Sequence, residues 1–74
     1  MNPVQDNRMR KISNFIRNWR VNDQISRNNL SSIADAHANT IYNLETGKNV
    51  TLRTLLNCID ALGITLSDLF DDIE

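Results

Sequence analysis

Cysteine, histidine and proline occur once each in this chain and glycine only twice. A single thiol, Cys58, cannot close an intramolecular disulfide. With His37 as the only imidazole, no Cys/His set stands at zinc-ligand spacing, so neither a metal site nor a cofactor is expected. Also missing are an apolar run of about 18 residues and a basic-then-apolar leader, so neither a membrane span nor a secretory signal is expected. The chain reads as soluble and cytoplasmic. No segment alternates apolar and polar residues over a sustained stretch, and none reads as a strand. Nor is there an internal repeat, a low-complexity tract or a linker. A chain of 74 residues makes one small domain, since at this size only about 60% of the unfolded chain's surface is buried.

What is present is helical patterning. Met9, Ile12, Phe15, Ile16 and Trp19 recur at three- and four-residue steps, forming one stripe of a helix of roughly fourteen residues. Trp19 therefore belongs to the core. Pro3 keeps the first residues outside that helix, so residues 1–7 are expected as an N-terminal arm and 8–74 as the domain. Asn22-Asp23-Gln24 is a polar break, and Ser26 then caps a short second helix whose apolar face is Leu30, Ile33 and Ala34. Asp35 marks its end. A third helix is expected from about Ala38 to Glu45, stopped at Gly47. Thr51 caps a fourth, Leu52 to Leu62, closed by Gly63, with Cys58 as a buried small hydrophobe between Leu55 and Leu62. Thr65 opens a fifth short helix through Leu66-Ser67-Asp68-Leu69-Phe70. The fold class is all-α with five helices.

Net charge is −1, which at first argues against a polyanionic partner. The charges are segregated, however. All eight Lys and Arg lie in residues 1–53 against four acids, whereas residues 54–74 carry five acids and no base. Such asymmetry suits a binding surface on one side and a solvating or self-associating surface on the other, although a solvated acidic tail alone would explain the second half.

On the third helix, Ile41, Leu44 and Thr40 cluster on one side at helical spacing, which leaves Ala38, Asn39, Tyr42 and Asn43 on the other. The two asparagines lie one turn apart. An asparagine amide donates to and accepts from one adenine edge in the major groove, and alanine or tyrosine can meet a thymine methyl. On an isolated helix such residues are more often ordinary surface, so the surrounding arrangement decides.

That arrangement, carried by Arg20, Ser26, Leu30, Ile41, Leu44, Glu45, Gly47, Leu55, Leu62-Gly63 and Leu69-Phe70, resembles the lambda-repressor-like (Cro/CI-type, XRE) helix-turn-helix domain over residues 12–70. The resemblance implies a five-helix domain with its helix-turn-helix at about residues 26–45, the third helix entering the major groove. It places base contacts on Ala38, Asn39, Thr40 and Asn43, with Tyr42 close by, and phosphate contacts on Arg27, Thr46, Lys48 and Arg53. It also pairs Arg20 with Glu45 in a semi-buried salt bridge. Asp35 stands where the family usually has Gly, His37 where it has a small capping Ser or Thr, and Arg27 where it often has Gln. His37 fits a cap or phosphate neighbour better than a metal ligand.

The expected function is a sequence-specific double-stranded DNA-binding transcriptional regulator, a repressor acting near the nucleoid as a homodimer on an inverted repeat. One short helix reads too few bases alone. The dimer contact is expected from Leu66, Leu69, Phe70 and Ile73, which exceed the apolar surface a small core needs. An enzymatic role is not expected, because Glu45 has no partner acid, base or nucleophile nearby. Two alternatives stand beside this reading. One is a DNA-binding antitoxin with a protein partner; the other is a helical protein-protein adaptor, favoured by the net charge.

Overall fold

The computed structural model describes residues 5–71, which form α1 (Gln5–Asn22), α2 (Arg27–Ala34), α3 (Ala38–Glu45), α4 (Leu52–Leu62) and α5 (Leu66–Phe70). Among the described residues there is no strand. Helix α2 packs against α3 and α4, while α1 crosses α3, α4 and α5. This leaves α2 and α3 packed side by side.

Helix starts are set by side-chain caps. Ser26 accepts from the Asn29 N–H at 3.0 Å, and Thr51 accepts from that of Thr54 at 3.1 Å. Thr65 and Asp68 form a reciprocal capping box, with Asp68 N–H donating to Thr65 Oγ1 at 3.0 Å and Thr65 N–H to Asp68 Oδ2 at 3.2 Å. His37 occupies the cap position of α3, but its side chain makes no capping bond.

The ends of α1 to α4 share one device. Gln24, Asp35, Gly47 and Gly63 all adopt positive φ, from 56° to 82°. In each case the next residue's N–H reaches back five residues: Ile25 to Arg20, Ala36 to Ser31, Lys48 to Asn43 and Ile64 to Ile59, at 2.8–3.1 Å. These are Schellman closures. Asp35 thus does at φ 56° what glycine does elsewhere, and the turn into α3 is intact.

The core joins Ile16, Leu30, Ala34, Ile41, Leu44, Cys58, Ile59, Leu62, Ile64 and Leu69, with Phe15 and Trp19 packed at its edge. Those two rings lie 5.6 Å apart, tilted by 44°.

Three expectations are corrected. Helix α1, Gln5–Asn22, is longer than the roughly fourteen residues expected, and residues 1–4 lie outside the described residues. Ile33 is 60% exposed, because α4 covers α2 along Leu30 and Ala34 and leaves position 33 turned aside. Leu69 is 0% exposed: it is the residue that fastens α5 to the core and cannot also meet a second subunit. The polar break ends α1 as expected, with Gln24 as the left-handed residue that closes it.

Candidate nucleic-acid interface

Ile41 and Leu44 are buried, fixing the rotation of α3 about its axis. Asn39 and Tyr42 are consequently exposed, and Ala38, Thr40 and Asn43 are half-buried on the flanks. Thr40, placed inward by helical spacing, lies at the border of the buried side. The polar strip from Ala38 to Asn43 is open at the surface among the described residues.

Arg20 and Glu45 fix the angle between α1 and α3. Arg20 donates from Nε to Glu45 Oε2 at 2.6 Å and from Nη2 to Oε1 at 3.1 Å, a two-pronged match of guanidinium to carboxylate. Its Nη1 donates to the Ile25 carbonyl at 2.7 Å, which ties the α1–α2 turn to the same point. The side chains are 10% and 0% exposed, so the pair is a buried one. Among the described residues every buried side-chain nitrogen and oxygen has a partner.

Sequence reasoning missed a third arm of this network. Arg27, at the start of α2, donates from Nε to Glu45 Oε1 at 3.0 Å. Its guanidinium carbon also lies 5.3 Å from the centre of the Tyr42 ring, and Lys48 Nζ lies 5.8 Å from the same centre. Arg27, Tyr42 and Lys48 are therefore brought together from α2, α3 and the following turn. No sequence spacing signals this, because residues 27 and 42 meet only after α2 and α3 pack.

Thr46 closes α3, its hydroxyl donating to the Tyr42 carbonyl at 2.9 Å. Arg53 is exposed in the first turn of α4 and is not part of the Tyr42 cluster. Arg10, not singled out from sequence, shares a polar groove of about 400 Å³ with Ser13, Asn14, Glu45, Thr46 and Gly47. Ser13 is buried there and donates back to the Met9 carbonyl at 2.9 Å. Of the expected dimer residues, Leu66 and Phe70 are 49% and 46% exposed, and Ile73 lies outside the described residues.

The family comparison agrees with this geometry. The profile of the Cro/C1-type HTH DNA-binding domain matches residues 16–74, and the chain belongs to that family. It is a DNA-binding helix-turn-helix protein. Neither the curated proteins nor the solved structures give a significant match. No helix among the described residues is long and apolar enough to cross a membrane.

Proposed function

We propose that this chain is a sequence-specific transcriptional regulator that represses by occupying an inverted-repeat operator in double-stranded DNA as a homodimer. One observation carries the reading: with Ile41 and Leu44 buried, Asn39 is exposed on α3 and Asn43, one turn on, is half-buried on its flank. Carboxamides at that spacing suit adenine edges in the major groove, with Ala38 and Thr40 beside them for methyl contact and hydrogen bonding. Arg27, Thr46, Lys48 and Arg53 are assigned to phosphates, which position the helix without reading sequence. Arg27 does so through its Nη groups, since Nε is held by Glu45.

Dimerisation is assigned to the α5 end, through Leu66 and Phe70. Two copies related by a two-fold axis would set their α3 helices about 34 Å apart, one helical turn of DNA. The protein would then work at the nucleoid.

Salt titration tests this reading. If the dimer neutralises six to ten phosphates, affinity for duplex DNA falls by about 10³ to 10⁵ between 50 and 200 mM salt. A protein-binding adaptor on the same scaffold would have no duplex affinity to lose.

A further inference from the structure

Tyr42 is the one aromatic side chain on the exposed side of α3, and two cations from different elements converge on it. We infer that Tyr42 is a positioning residue for the DNA backbone, its ring holding Arg27 and Lys48 together as a paired clamp for one phosphodiester. The inference rests on the DNA-binding reading above and deepens it.

The ring centre lies 5.3 Å from the Arg27 guanidinium and 5.8 Å from Lys48 Nζ, both within the reach at which an aromatic face attracts a cation, about 6 Å. Two like charges around one ring repel each other. Glu45 offsets that repulsion on one side by accepting from Arg27 Nε at 3.0 Å. On the other side, the Lys48 backbone is pinned by its N–H to the Asn43 carbonyl at 2.9 Å, immediately after Gly47. Glu45 thus holds the Arg27 guanidinium through Nε, Lys48 is held at its backbone, and the Tyr42 ring lies between the two charged ends.

Those ends remain available. Among the described residues no hydrogen bond takes the Nη groups of Arg27 or the Nζ of Lys48. Two outward-facing cations beside an open helix face suit an anion with several acceptor oxygens, and a backbone phosphate flanking the major groove is that anion. Tyr42 is 45% exposed, so its ring is accessible at the surface and is spent on the cations rather than on a thymine methyl.

The test uses the full chain and a labelled random-sequence duplex, with binding followed by fluorescence anisotropy across a salt series. Tyr42→Leu is expected to weaken binding about 3- to 10-fold and to flatten the salt dependence toward that of the Arg27→Ala Lys48→Ala double variant. Tyr42→Phe, which keeps the ring, retains wild-type binding. In the double variant's background, Tyr42→Leu costs nothing further. Tyr42→Gln serves as a second ring-less variant, and thermal melting checks that both fold. Wild-type affinity in the ring-less variants, equal loss in Tyr42→Phe, or a full additional loss in the double background would each overturn the inference while leaving DNA binding intact. Absence of duplex binding by the wild-type chain at low salt would overturn the DNA-binding reading, and this inference with it.

Discussion

Glu45 has no exposed side-chain surface, yet it accepts from two guanidiniums, Arg20 and Arg27. Removing Arg20 strips the carboxylate of its two-pronged partner inside the protein, and Arg20→Ala is expected to cost about 3 to 5 kcal/mol in urea denaturation. A loss below about 1 kcal/mol would mean that the pair behaves as a surface one. Cys58 makes a second residue-scale case. Burial, with the Glu45 charge in addition, pushes its thiol from the ordinary 9.0 up to about 11. Well below pH 9.0 it is protonated whether the chain is folded or not. As pH rises from 9.0 to about 11 only the unfolded thiol ionises, so stability falls over that window. The urea midpoint of wild type should therefore drop more steeply there than that of Cys58→Ala. On α3, Asn39→Ala and Asn43→Ala are each expected to remove about 1 to 3 kcal/mol of discrimination at particular base pairs. Lys48→Ala should instead weaken all duplexes alike, as competition between specific and random DNA would show. The Arg20–Glu45 pair and the exposure of Asn39 were legible in the sequence, the first through family resemblance and the second through helical spacing, whereas Asn43 is half-buried. The Arg27 arm was not, because it depends on how two helices pack.

Helix boundaries at the element scale follow from local chemistry, and here the sequence is most readable. Ser26, Thr51 and Thr65 cap the helices they were expected to cap, and α3 and α4 run from Ala38 to Glu45 and from Leu52 to Leu62 as spacing indicated. Caps act within one turn, so a few residues determine them. What spacing could not supply is which side of a short helix its neighbours cover. Ile33 follows the apolar pattern of α2 yet faces outward, and Leu69 was read as surplus although it anchors α5. Left-handed closures at Gln24 and Asp35 were less visible than those at Gly47 and Gly63, since neither residue type advertises positive φ as glycine does. Asp35 holds φ 56° at a cost that glycine avoids. Asp35→Gly is therefore expected to raise stability by about 0.5 to 1 kcal/mol in thermal or urea unfolding, with the α2–α3 turn unchanged. A loss of stability would mean that the Asp35 side chain stabilises the turn in a way its backbone geometry does not reveal.

Across the whole molecule, charge and shape divide the labour. The cations Arg27 and Lys48 gather beside α3, whereas Asp68 and Asp71 lie at the α5 end, in a groove with Phe15 and Trp19. If Leu66 and Phe70 form the subunit contact, Phe70→Lys should yield a monomer in sedimentation. Its melting temperature should no longer rise with protein concentration as that of a dimeric wild type does. The central claim is that the outer side of α3 reads bases, and selection of bound fragments from a random duplex pool tests it most directly. The account predicts a two-fold symmetric consensus whose half-sites change in Asn39→Ala or Asn43→Ala. A pool with no enriched sequence, or a consensus that both variants leave untouched, would contradict it.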